Sequence, residues 1–258
     1  MDTLLKLENY IRPLRRVVIG FSGGVDSALL AYVSRKMLEK KDCVAVTGDS
    51  ASVPSADRQF VEEFCSEYDI LHRFIPTFEY ENPDYKTNPE NRCFFCKEEL
   101  YKRLREFADD FGSPNILDGT NVTDLKGHRP GFEALKEANV LAPYVALGID
   151  KPAIRKMAAH LNLKVATKPQ AACLASRIPT GTPIDLEALR QIDTAENALR
   201  ALGVSSPRVR FHGTLARLEL KKEDWDFCVK ERENILKSLQ SFGFQFVTLD
   251  LKPYEREG

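Results

Sequence analysis

Ser22-Gly23-Gly24-Val25-Asp26-Ser27 lies between a short apolar run and a stretch with helical spacing. Two adjacent glycines let a backbone curl so that successive N–H groups converge at a helix N-terminus, the arrangement that cradles an anion. The hydroxyls of Ser22 and Ser27 add hydrogen-bonding groups to such a cradle. Asp26 has the wrong charge to touch an anion, so it either orients the loop or meets a Mg²⁺ ion that bridges phosphates. The Gly-Lys-Ser/Thr ending of a Walker A loop is missing. An ordinary turn with a helix cap is the plain alternative, but a cap alone needs no glycine pair.

The chain has six cysteines. Cys93-Phe94-Phe95-Cys96 puts two thiols three residues apart at the start of a helix, where the helix dipole favours thiolate and either metal binding or redox chemistry follows. A structural zinc site would need two further ligands, and His72, His128, His160 and His212 show no paired spacing. Cys173 falls in an irregular stretch, where a ligating or reactive side chain can be presented outside a packed element. Three thiolates match three irons of a [4Fe–4S] cluster and leave the fourth open to an exogenous ligand; a pair of inert thiols at 93 and 96 is the alternative. Cys43, Cys65 and Cys228 fall on apolar faces and read as small core hydrophobes.

These groups need elements to hold them. Residues 17–21 read as a strand, 28–38 as a helix, 43–47 as a second strand, and a helix from 55 carries Phe60, Val61, Phe64 and Cys65 on one side. Residues 71–75, a helix over 94–107 and a strand over 115–117 follow. Alternating strands and helices predict an α/β fold, a parallel sheet flanked by helices. Residues 168–183 fit no single period, and a junction is placed there. The expected organisation is a nucleotide domain over 1–167, an active-site linker carrying Cys173 over 168–184, and a smaller C-terminal α+β domain over 185–258 for substrate binding and oligomerisation. Within the last, helices are expected over 185–202 and 223–242, with strands over 209–211, 215–220 and 244–251.

With 37 Lys+Arg against 38 Asp+Glu the net charge is -1, which gives no general field for nucleic acid. No apolar run approaches a membrane span, and the N-terminal residues lack the pattern of a signal peptide. A cytoplasmic setting with reduced cysteines is the expectation.

At residues 22–27 the sequence resembles the PP-loop ATP pyrophosphatases. That resemblance implies cleavage of ATP between its α and β phosphates, adenylation of a substrate oxygen, and displacement of AMP by a nitrogen or sulfur nucleophile. It places ATP and its Mg²⁺ against Ser22, Gly23, Gly24, Val25, Asp26 and Ser27, with Thr47 and its neighbours 46–50 against adenine and ribose. Asp118-Gly119-Thr120-Asn121 and Asp124 would face the nucleotide, since ligands of open α/β sheets gather at the carboxyl ends of strands.

A closer resemblance begins at Lys168-Pro169-Gln170-Ala171-Ala172-Cys173-Leu174-Ala175-Ser176-Arg177-Ile178-Pro179-Thr180-Gly181. Together with Asn91-Arg92-Cys93, Arg129-Pro130-Gly131, residues 208–212 and residues 216–219, it is similar to the LarE family of ATP-dependent sulfur transferases over nearly the whole chain. Gly127 and Thr180 depart from the family's pattern, where an acidic residue and a tyrosine are common. The resemblance implies a small mononucleotide substrate, pyridinium-3,5-biscarboxylic acid mononucleotide, with Cys173, Asp26 and Ser27 as catalytic residues. Its sulfur would come either from Cys173 itself, leaving dehydroalanine, or from sulfide on a [4Fe–4S] cluster held by Cys93, Cys96 and Cys173. The second is expected here because all three cysteines are present. Arg177, Arg208 and Arg210 would bind the substrate phosphate; without the resemblance they read as a solvated charge pair. Glu196 and Glu219 are further metal candidates, and a homo-oligomer such as a hexamer is implied. The rivals are a tRNA-thiolating enzyme, an amidating ligase and a catalytically silent ATP-binding or cluster-carrier protein.

Overall fold

The computed structural model describes residues 2–125, 130–168 and 172–255. Gly127, His128 and Arg129, residues 169–171 of the Cys173 motif, and residues 256–258 of the tail lie outside the described residues. In chain order the elements are α1 Asp2–Ile11, β1 Val17–Gly20, α2 Val25–Met37, β2 Cys43–Asp49, α3 Ser55–Glu67, β3 Leu71–Pro76, α4 Pro83–Lys86, α5 Arg92–Phe111, β4 Asn115–Leu117, α6 Pro130–Glu137, α7 Pro143–Ala146 and α8 Lys151–His160. They continue with α9 Leu186–Leu202, β5 Arg208–His212, β6 Leu215–Glu219, α10 Trp225–Lys230, α11 Arg232–Ser241 and β7 Phe246–Leu249. The chain divides into two compact units, one of residues 1–50, 57–82 and 91–171, the other of residues 51–56, 83–90 and 172–258.

The first unit is built on a parallel sheet of order β3-β2-β1-β4. Its central strand is apolar at consecutive positions, as a strand covered on both faces must be. Val17 and Ile19 point to one side, into a core with Leu29 and Leu30 of α2, Phe64 of α3 and Ile154 of α8. Val18 points to the other, against Tyr101, Leu104 and Ala108 of α5 and Leu135 of α6. The chain leaves β1 toward β2 on one flank and returns through α5 to β4 on the other. The carboxyl ends of β1 and β4 therefore form the switch point at which such sheets bind ligands.

The second unit carries a three-stranded sheet, β5-β6-β7, with β5 antiparallel and β7 parallel to β6. Asp185 caps α9 by accepting from the Ala188 N–H. The helix expected over 223–242 is broken at Glu231, where φ -91° and ψ 14° leave the helical region and separate α10 from α11. Cys228, Ile235 and Leu239 share one core across the break, so the apolar spacing runs through it and hides it from sequence. The last strand is shorter than expected, and α1, α4, α6, α7 and α8 were not anticipated.

Candidate functional site

In the first unit, residues 22–24 form the loop and Val25 opens α2. Gly23 has φ +71°, and a Cβ on it would lie 2.9 Å from Val61 Cγ2, so both conformation and space demand glycine. The two serines stitch the loop to the helix. Ser22 N–H donates to Ser27 Oγ at 3.2 Å, Gly24 N–H to Ser22 Oγ at 3.4 Å, and Ser27 Oγ to the Gly24 carbonyl at 3.2 Å. Asp26 and Ser27 belong to the first turn of α2, and Ser27 is buried.

The loop after β4 meets this turn closely. A Cβ at Gly119 would stand 2.9 Å from the Ser27 backbone nitrogen, so only glycine lets the two backbones approach. Asn121, fully buried, donates to Asp26 Oδ1 at 3.2 Å and to Asp124 Oδ2 at 2.7 Å, linking the two carboxylates. Asp118 accepts from Lys97 Nζ at 2.9 Å, Tyr101 Oη at 3.0 Å and Thr120 N–H at 2.8 Å. Burial would raise its pKa, but Lys97 and Thr120 outweigh burial and hold the carboxyl below its ordinary value. At the end of β2, Thr47 Oγ1 donates to the Phe21 carbonyl at 2.7 Å, which spends its proton, so His72 Nε2, 2.9 Å away, is the donor to it. Burial first, then Arg73 and Arg58, push the His72 pKa down to about 4, and the ring stays neutral.

Three residues that sequence reasoning missed complete the setting. Lys151, at the start of α8, ion-pairs with Asp26, and Tyr144 Oη donates to the Asp26 carbonyl at 2.9 Å. Burial raises the Asp26 pKa against the opposing pull of Lys151. Lys168 Nζ donates to the Gly23 carbonyl at 3.1 Å, pairs with Asp57 at 3.1 Å and lies 3.5 Å from the centre of the Phe60 ring. A lysine 145 residues further along thus stands at a loop that lacks the Walker lysine.

In the second unit, Cys173 precedes a short 3-10 turn, Leu174–Arg177. The described part of this stretch is tied down. Leu174 N–H donates to the Ser52 carbonyl at 2.8 Å, Gly181 N–H to the Asn88 carbonyl at 2.9 Å, and Ile184 N–H to the Lys86 carbonyl at 2.8 Å. Asn88, buried with φ +55°, donates its amide to the Pro179 and Thr182 carbonyls at 2.9 and 3.0 Å.

The family comparisons bear on this arrangement. The NAD synthase family profile matches residues 3–108. A Synechocystis protein, the uncharacterized slr1717, is 38% identical over 255 residues, covering 97% of this chain and 95% of the relative. The pyridinium-3,5-bisthiocarboxylic acid mononucleotide synthase of Lactiplantibacillus plantarum is 32% identical over 244 residues, covering 93% of this chain and 87% of the synthase. The chain belongs to that synthase's family, the LarE family. A probable tRNA sulfurtransferase of Methanobrevibacter smithii is 23% identical over 201 residues, or 72% of this chain and 50% of the relative.

In this LarE-family chain Arg177 is not a surface phosphate ligand. It is 4% exposed, its Nε and Nη2 donate to Glu196 at 2.8 and 3.1 Å, and Nη1 donates to the Ala172 and Cys173 carbonyls at 2.6 and 3.0 Å. Glu196 is correspondingly not a metal ligand here: both its oxygens are taken by guanidinium groups of Arg177 and Arg200 and by the Val209 N–H. Arg208 is 9% exposed and lies 4.7 Å from the Tyr254 ring centre, while Arg210 bonds Glu219 and the Ser176 carbonyl. Neither is a solvated charge pair. Glu219 is paired with Arg210 and Arg217.

The thiols divide cleanly. Cys43, Cys65 and Cys228 are buried, and burial pushes the first two up to about 12. Cys93 and Cys173 are exposed and Cys96 is half-buried. Among the described residues, no group of three or more His, Cys, Asp or Glu side chains is gathered as metal ligands. No helix among them is long and apolar enough to cross a membrane.

Proposed function

We propose that the protein adenylates the carboxylates of pyridinium-3,5-biscarboxylic acid mononucleotide with ATP and converts them to thiocarboxylates, releasing AMP and pyrophosphate. The observation that carries this reading is the match along 87% of a synthase whose name states the bisthiocarboxylic product, in a chain that carries the serine-stitched phosphate loop. The loop N–H groups and the α2 N-terminus bind the phosphates, and Ser27 fixes their cradle. Asp26 and Asp124, joined through Asn121, are hard oxygen donors that suit Mg²⁺ carried with ATP. Thr47 and Gly119-Thr120 line the nucleotide side. Adenylation turns a poor carboxylate electrophile into one from which AMP leaves readily.

Arg208 and Arg210 of β5 suit the substrate phosphate by guanidinium geometry. The sulfur route rests on the three accessible thiols, Cys93, Cys96 and Cys173, whose donor chemistry fits three irons of a [4Fe–4S] cluster. Held by these three thiolates, such a cluster would supply sulfide as the nucleophile. A reducing cytoplasm keeps these thiols available, and a homo-oligomer is the proposed assembly. A net charge of -1 and a match to only half of the tRNA sulfurtransferase favour a small substrate over RNA.

The test is anaerobic purification with iron and sulfide analysis, followed by assay of AMP and pyrophosphate with and without the pyridinium dicarboxylate. Pyrophosphate release that depends on the dicarboxylate, with bound iron lost on Cys93→Ala, Cys96→Ala or Cys173→Ala, supports the full reading. ADP as product, or turnover indifferent to the dicarboxylate, refutes the activity. Iron-free protein in which Cys173 alone becomes dehydroalanine after one turnover keeps the activity and replaces the cluster by sacrifice of Cys173.

A further inference from the structure

Glu196 is a carboxylate with no exposed surface, and four donors converge on it: Arg177 Nε and Nη2, Arg200 Nη2 and the Val209 N–H, at 2.8 to 3.1 Å. A charge buried so completely is retained at a cost in desolvation, which calls for a reason beyond stability. The reason lies on the other side of Arg177. Its Nη1 reaches past the ion pair to the carbonyls of Ala172 and Cys173 and to Ser176 Oγ at 3.2 Å, and Ser176 Oγ in turn donates to the Cys173 carbonyl at 2.7 Å. Arg210 holds the Ser176 carbonyl from β5 at 2.5 Å. The main chain on both sides of Cys173 is thus fixed by guanidinium groups, one of them oriented by Glu196.

We propose that Glu196 is a positioning residue for Cys173, acting through Arg177, and that the same carboxylate sets the start of β5 through Val209. The carboxylate fixes the plane of the guanidinium by a fork of two bonds, and that plane aims Nη1 at the two carbonyls. The backbone leaving this turn gives Cys173 one direction. Because Val209 lies between Arg208 and Arg210, one anion registers the thiol and the paired arginines in a common frame. This inference rests on the reading of Cys173 as the sulfur-handling thiol.

Glu196→Gln keeps the shape and removes the charge, placing an amide N–H₂ among donors. Hydrogen exchange at the Leu174, Ser176 and Ile178 amides reads the turn directly, without any activity. We expect their protection to fall roughly tenfold or more while β1, β2 and α5 keep theirs, and kcat to fall roughly a hundredfold with the KM for ATP unchanged. Wild-type protection in folded Glu196→Gln, or lost protection with wild-type kcat, overturns the proposal. Should that variant fail to fold, Arg177→Met is decisive, since Glu196 then keeps Arg200 and the Val209 N–H as partners. Lost protection at 174–178 in that variant supports the proposal, and retained protection overturns it. Cys173→Ser separates the two levels: product formation by it removes the sulfur-handling reading, whatever the exchange data say.

Discussion

Gly119→Ala probes the contact on which the proposed nucleotide site depends. The added Cβ would lie 2.9 Å from the Ser27 nitrogen and 3.2 Å from the Asp26 carbonyl carbon. Both are backbone atoms at the first turn of α2, so no side-chain rotation relieves the clash. Ordinary contact begins about 0.5 Å further out, and strain of this kind costs about 1–3 kcal/mol. That is a fall in melting temperature of about 2–4 °C for each kcal/mol in a protein of this size. The displaced group is the Ser27 N–H itself. Since a misplacement of about 1 Å can cost a hundredfold, about half of that should weaken ATP binding roughly tenfold. Calorimetric titration with a non-hydrolysable ATP analogue, beside a thermal melt, gives both numbers. Gly148→Ala is the control: φ is +67° there with nothing within 4 Å of the added Cβ, so it should cost about 1–2 kcal/mol of backbone strain and spare ATP affinity. A Gly119→Ala protein with wild-type melting temperature and affinity would refute the argued closeness of the β4 loop and α2.

Lys168→Met keeps the stem over Phe60 and removes the ammonium beside Gly23, so ATP should bind about tenfold more weakly, by about 1.4 kcal/mol, and less so as salt rises; titration at two ionic strengths checks it, and salt-independent wild-type affinity counts against it. His72 has a folded pKa of about 4 against an ordinary 6.5, so its contribution to stability is full above 6.5 and lost as pH falls toward 4. After allowance for solvent screening this amounts to about 1–2 kcal/mol, seen as a drop in urea midpoint between pH 7 and pH 5 that His72→Asn should flatten. Asp118→Asn leaves Lys97 and Tyr101 facing a neutral amide and should lower stability by about 2–3 kcal/mol in a denaturant titration, with a loss under 0.5 kcal/mol contradicting the ion-pair reading.

The parallel sheet was legible because its strands are short apolar runs set between helical periods, as in residues 17–19 and 43–46. The tight loop between β1 and α2 was legible because a glycine pair at a strand-to-helix junction is a local signal. Lys151, Tyr144, Lys168 and Asn88 leave no such mark: each acts on residues 90 to 145 positions away, and a lysine or asparagine bound for a distant partner looks like any surface residue. Glu196 did carry a signal. Leu189, Ile192 and Leu199 put it on the apolar stripe of α9, and a charge on a core face announces a buried counter-charge. Composition marked residues 168–183 as irregular; over the described residues 172–183 the backbone is irregular and is held by Ser52, Lys86 and Asn88, partners that composition does not reveal.

Ser52, Lys86 and Asn88 also set a schedule for biosynthesis. The carbonyl of Ser52 and the amide of Asn88 belong to the second unit, but they leave the ribosome about 90 to 120 residues before the Leu174 to Ile184 backbone that they bond. At about 5–20 residues per second this is a wait of roughly 5–25 s. During it, residues 51–56 and 83–90 lack the partners that residues 172–184 supply in the finished chain. The second unit cannot close as an autonomous late domain. It must recruit two strips of chain already committed at both ends to the first, so its assembly is paced by translation of the C-terminal third.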